Sequence, residues 1–156
     1  MKKLRSRLVI VTMVAMLGLI GFGNMGDTLA GNTRDADWSF ALSVNNSNIQ
    51  KLTKREKLDD SKIYVYWISS YGGDLSKISV SPYGAHYMDG GSYAAGTRSG
   101  GEITYVMNSP KKYSLTNYVY ELEYEYATVG MKGILGSGTA VGKWSPDSSG
   151  TYTVLQ

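Results

Sequence analysis

Three glutamates hold the most chemical promise in this chain. In Glu121-Leu122-Glu123-Tyr124-Glu125 a carboxylate recurs at every second residue, which on an extended strand places all three on one face. Retaining glycoside hydrolysis needs two carboxylates flanking the scissile bond, one to attack and one to protonate the leaving group, so Glu121 and Glu125 are the candidate pair for a small β-glycosidase. Two plainer readings compete. Alternating Glu facing Lys on a neighbouring strand also decorates a wet sheet face and discourages edge pairing. As a calcium site the set falls short, because same-face carboxylates stand ~7 Å apart, too far to chelate one ion without a second loop.

His86 is the only histidine, in Gly84-Ala85-His86-Tyr87-Met88-Asp89. A Ser-His-Asp triad needs its imidazole between a hydroxyl and a carboxylate, but one histidine in a loop reads first as a residue with no special task. The absence of cysteine removes thiol nucleophiles, thiolate zinc sites and disulfides together. The glycine-rich residues 130–138 lack the Gly-Lys-Ser/Thr of a phosphate loop and the strand–helix context of a dinucleotide fingerprint. No catalytic, cofactor or metal residue is assigned on these grounds, and the expectation is a protein that is not an enzyme and needs no cofactor.

A binding surface is the stronger reading. Thirteen tyrosines stand beside three Trp and two Phe, a bias toward rings that can sit half in water. Tyrosines alternating along a strand satisfy β propensity alone. Those expected in loops, Tyr71, Tyr83, Tyr87 and Tyr93, are the candidate ligand contacts, because exposed loops carry function more often than core faces do. Sugar rings would stack their apolar faces on such aromatics.

The elements that must position these residues follow from a period of two, which dominates after residue 30; no stretch reads as a three-turn helix. Strands are expected at 37–44, with Trp38, Phe40, Leu42 and Val44 on one face, and at 62–70, whose apolar residues on both faces indicate a central strand. A charged, solvated crossover is expected at 50–60. A weaker strand over 75–83 is expected to end, or to lie at an edge, at Pro82. A loop-rich region with a short strand near Tyr93 follows, then extended chain at 102–107. The longest alternating run, 118–129, predicts a strand about 40 Å long with the tyrosines on its covered face. Residues 130–138 read as a flexible connection, 139–144 and 151–155 as strands, with a turn at Ser145-Pro146-Asp147-Ser148 in which Trp144 anchors the core and Asp147 satisfies turn amides. The fold class is all-β: a compact antiparallel β-sandwich of about seven or eight short strands.

Ser81-Pro82-Tyr83-Gly84-Ala85, the Tyr-rich residues 118–126 and Gly142-Lys143-Trp144-Ser145-Pro146-Asp147-Ser148 together resemble a family of small secreted Gram-positive proteins classed only as a domain of unknown function. The resemblance implies export, a β-rich domain and bacteriocin-like or surface roles, and transfers no site residue. The Glu-Leu-Glu-Tyr-Glu spacing is also similar to the acidic strand of jelly-roll β-glucanases. It departs from that strand at the middle position, where those enzymes resemble Asp.

The N-terminus bears on partners. Lys2, Lys3, Arg5 and Arg7 precede an uncharged, mostly apolar run at 8–22, and Thr28-Leu29-Ala30 resembles a small-x-small cleavage site. The run is shorter than the ~20 residues that span a bilayer. The expectation is a signal peptide at 1–30, cleaved after Ala30, and one β-sandwich domain at 31–156, secreted and without a membrane span. Cleavage takes four of the sixteen basic residues and one of the thirteen acidic ones, so the mature chain is formally neutral. That argues against nucleic acid as a partner. The function expected is a secreted, non-enzymatic module that meets cell-wall glycan or another extracellular protein, with a bacteriocin-like antagonist as the alternative. Oligomeric state stays open.

Overall fold

Alternation makes a strand wherever its apolar half can be buried. In β1 (Ala36–Ser43) Trp38 and Leu42 turn inward while Ser39 and Ala41 face solvent. In β4 (Ile63–Tyr71) Ile63, Val65 and Trp67 are fully buried on the inner face. Tyr64, on the outer face, is buried with its ring 4.8 Å from that of Tyr152. The computed structural model describes residues 32–156, so the signal peptide expected at 1–30 lies outside the described residues.

The remaining elements are β2 (Gln50–Lys51), β3 (Arg55–Glu56), β5 (Lys77–Ala85), β6 (Tyr93–Ala94), β7 (Tyr105–Met107), β8 (Lys112–Leu115), β9 (Tyr126–Leu135), β10 (Ser137–Ser145) and β11 (Thr153–Leu155). They form two sheets. The first has the order β1-β10-β4-β8-β11, which makes β4 central as its two-faced apolarity requires. The second is built on β9 and β5, with β2 and β3 along the outer edge of β9 and β7 and β6 along that of β5. Trp38, Trp67, Trp144, Ile78, Val80, Met107, Val129 and Met131 interlock between the sheets. The protein is an all-β sandwich, and no helix occurs among the described residues.

Eight of the strands are three residues or longer, within the seven or eight expected; β6 is the short strand expected near Tyr93, and β2 and β3 are two-residue pieces from the stretch that reads as a crossover. Pairing is antiparallel with one exception, since β11 runs parallel to β8. No strand was expected at β8, because Lys112-Tyr113-Ser114-Leu115 is too short to display a period.

Pro82 neither ends a strand nor sits at a sheet edge. It lies within β5, opposite Val129 of β9. Its carbonyl accepts from Ala95 N on the other side, where β5 changes partner from β7 to β6. A strand residue's N–H and C=O point the same way, so the missing donor of Pro82 faces that gap. Residues 130–135 are strand rather than connection, and the sheets are joined by a tight turn at Gly136, φ 82°.

The long strand expected at 118–129 divides. Leu122 N donates to Tyr118 O (3.0 Å), Glu123 N to Tyr120 O (3.0 Å) and Tyr124 N to Val119 O (3.1 Å), so 118–124 coils into consecutive turns, and β9 begins only at Tyr126. Val119 is fully buried, and Leu122 and Tyr124 pack against the core.

The crossover at 50–60 hides a charge. Lys57 Nζ lies 2.6 Å from Asp147 Oδ1, with both side chains wholly inaccessible to solvent. The ammonium also donates to Ser61 O at 2.7 Å. The second carboxylate oxygen of Asp147 accepts from Leu58 N at 3.1 Å and from Asn32 N. Asp147 therefore serves the distant amides of Asn32 and Leu58. Burial pushes the neighbouring Asp59 carboxyl up, but hydrogen bonds from Ser61 and the charge of Lys57 outweigh it and hold the group below the usual carboxylate range.

Candidate functional site

The four tyrosines expected in loops part company. Tyr71 ends β4 in the first sheet, 58% exposed and opposite Thr139. Tyr83 lies inside β5 and is buried. Its hydroxyl donates to Glu102 Oε1 at 2.8 Å, and Lys51 Nζ stands 4.1 Å from the centre of its ring. Burial first, then Glu102, pushes the Tyr83 phenol up to about 12, so it stays neutral. Tyr83 is thus a packed element of the sheet, and the expectation of a loop contact there is corrected.

Tyr87 and Tyr93 each lie beside His86. The His86 ring centre is 6.4 Å from that of Tyr87 and 6.3 Å from that of Tyr93. It is 4.9 Å from that of Tyr124, a residue not singled out as a contact from the sequence. Tyr93 and Tyr124 stack with centres 5.8 Å apart and planes 7° off parallel. Tyr87 and Tyr93 are 73% and 55% exposed, which leaves this aromatic group open to solvent.

Three backbone features hold it. Tyr93 opens β6, directly opposite Gly84 of β5. A Cβ on Gly84 would stand 2.1 Å from Tyr124 Cδ2, so only glycine lets the ring lie against the strand. The loop carrying His86 and Tyr87 is drawn down by Lys54, whose ammonium donates to Tyr87 O (3.2 Å), Met88 O (2.8 Å) and Gly90 O. The only sequence signal for Tyr124 was its share in the Tyr/Glu alternation, and the turn that delivers it is visible as Val119 and Leu122 spaced three apart.

The glutamates do not share a strand face. Glu121 and Glu123 lie in the turns, Glu123 with φ 60°, and Glu125 precedes β9. With Asp60, Tyr120 and Tyr124 they line an open cavity of about 590 Å³ beside the aromatic group. The alternation on which a nucleophile and acid pair was founded is absent. His86 touches rings, and among the described residues it forms no ion pair with a carboxylate. No group of three His, Asp or Glu able to hold a metal gathers among the described residues. The arrangement can stack a flat apolar face on Tyr93 and Tyr124 and accept hydrogen bonds at the carboxylates next to them.

No curated protein and no solved structure matches this chain. A family model, described as "Protein of unknown function (DUF2712)", matches residues 26–148, which takes in the strand carrying Gly84, the β6 residue Tyr93 and the turn carrying Tyr124. The resemblance to a domain of unknown function holds over most of the chain, and the chain belongs to the DUF2712 family.

Proposed function

We propose that this protein is a secreted, non-catalytic binding module that engages cell-wall glycan through Tyr87, Tyr93 and Tyr124. One observation carries the reading: Tyr93 lies parallel on Tyr124, a half-buried ring held against a strand glycine, and is itself left open to water. Rings kept for the core would be covered, as Trp67 and Trp144 are, whereas Tyr87 and Tyr93 are not. Sugar rings offer the apolar face such a pair accepts, and Glu121, Glu123 and Glu125 stand beside it as acceptors for sugar hydroxyls. Export rests on the basic, apolar and small-residue order of residues 1–30, with cleavage after Ala30.

The hydrolase reading loses the strand geometry that motivated it. The bacteriocin-like reading rests on resemblance alone, and no residue of the structure bears on it. The glycan reading is checked by retention of purified protein on insoluble peptidoglycan, for wild type and for Tyr87→Ala/Tyr93→Ala. Wild type is expected to be retained and the variant to wash through; equal retention, or none for either, overturns the proposal.

A further inference from the structure

A second concavity, lined by none of the residues of the aromatic group, has the chemistry of a ligand site. It measures about 600 Å³ and is bounded by Thr97, Arg98, Ser99, Ile103, Tyr105, Thr116 and Tyr118, with Gly96 and Gln156 at its margin. That volume falls within the range of small-molecule sites. The turn that brings in Arg98 is internally bonded: Gly96 N and Thr97 N donate to Gly101 O (3.0 and 3.2 Å), Gly100 N to Thr97 O (3.1 Å) and Gly101 N to Thr97 Oγ1 (2.7 Å). The Arg98 guanidinium carbon stands 5.8 Å from the centre of the Tyr118 ring. Among the described residues Arg98 forms no ion pair.

Thr116 lines the same cavity. Its hydroxyl oxygen is buried and has no hydrogen-bond partner, although its own carbonyl accepts from Tyr105 Oη at 3.1 Å. A buried orphan hydroxyl costs stability, and such a group commonly marks a missing partner. The hydroxyl oxygen itself is inaccessible, so what the cavity presents to a ligand is the unpaired cation of Arg98. Burial raises the Tyr105 phenol, so it enters as a neutral ring.

We infer that this cavity binds an anionic saccharide, a pyranose carrying a carboxylate or a phosphate group. Arg98 offers the planar fork that pairs with either anion. Tyr118, Tyr105 and Ile103 provide the apolar wall for the ring, and Thr97 and Ser99 provide hydroxyls beside it for those of a sugar. The inference goes beyond the glycan surface at Tyr87 and Tyr93 and shares no residue with it.

Calorimetric titration of the purified protein with glucuronate, a glucose phosphate, glucose and inorganic phosphate tests this. Saturable binding of glucuronate, of the glucose phosphate or of both, with glucose weaker, is expected; the preferred one identifies the anion. Arg98→Gln should weaken the anionic sugars roughly tenfold and leave glucose unchanged. Absence of binding to both anionic sugars at millimolar concentration, binding unaffected by Arg98→Gln, or inorganic phosphate binding as tightly as the sugars would overturn the inference. Unchanged titration in Tyr87→Ala/Tyr93→Ala is expected, which separates its failure from that of the glycan surface.

Discussion

Two parts of this sandwich spend polar residues in opposite ways. At the Lys57–Asp147 corner two full charges are dry, yet every contact they make is to the protein's own chain: Ser61 O, Leu58 N, Asn32 N, the Asp59 carboxylate 3.6 Å from Lys57, and each other. At the His86 end, rings that a core would bury are left wet, fixed from below by Gly84 and from the side by Lys54. The first region ties a crossover and the start of the described chain to the end of β10. The second holds its side chains ready and leaves their faces unused. Burial and chemical reactivity are thus poor guides to function here: what separates the two regions is whether the polar or aromatic capacity is already consumed.

The largest loss of stability is expected at the ion pair. Asp147→Asn, or Lys57→Met alone, is expected to destabilise the fold by about 3–5 kcal/mol, because the surviving partner keeps its burial and loses its nearest counter-charge; Asp59, 3.6 Å from Lys57, places Asp147→Asn at the lower end. The double replacement Lys57→Met/Asp147→Leu should recover a large part of that loss; chemical denaturation of all four proteins gives the coupling directly. If the two single losses simply add, the pair does not act as a unit.

Next in size is Gly84→Val. Its side chain would enter the space of the Tyr124 ring, so a loss of about 1–3 kcal/mol is expected, together with displacement of Tyr124 from Tyr93. Near-ultraviolet circular dichroism, which senses the tyrosine stack, should change with it.

Alkaline titration sharpens the contrast between consumed and open tyrosines. Burial pushes Tyr64 and Tyr83 up to about 12, whereas a free phenol titrates near ~10. Between those values the unfolded chain has released protons that the folded chain retains, so stability is full below pH ~10 and is lost as pH rises through about 12. Tyr83→Phe should flatten part of this alkaline decline. Absorbance titration of tyrosinate should show at least two late phenols in the native wild type and one fewer in the variant.

The smallest stability effect is expected where the functional effect is largest. Tyr87→Ala/Tyr93→Ala removes exposed rings and should change stability by no more than about 0.5–1 kcal/mol while abolishing retention on peptidoglycan. A loss comparable to that of Asp147→Asn would make the aromatic end a structural element like the ion pair.

Much of the fold was legible because alternation and burial coincide in the strands that dominate it. Trp38 and Leu42 in β1, and Ile63, Val65 and Trp67 in β4, face inward as their spacing predicts. The Tyr/Glu alternation of 118–125 misled because period two is only a signal when one of its halves is buried. There the residues that pack on the core, Val119, Leu122 and Tyr124, belong to both halves of the alternation, and the backbone coils to bring them down. The same error hid Tyr124 from the candidate site and gave Glu121, Glu123 and Glu125 a common face they do not have. Tyr83 looked like a loop residue because Pro82 and Gly84 flank it. Both fit a strand here, one facing a change of strand partner and the other lying under a ring.

The sequence alone determined the class of this fold, the inward face of its main strands and the absence of thiol chemistry, because these depend on residue type and local spacing. Only the tertiary structure decided that Lys57 meets Asp147 across 90 positions, that Tyr93 lies on Tyr124, and that Arg98 and Thr116 face one cavity. Such pairings arise when two sheets close on a shared core and bring distant loops to the same end. No spacing along the chain records which loops those are.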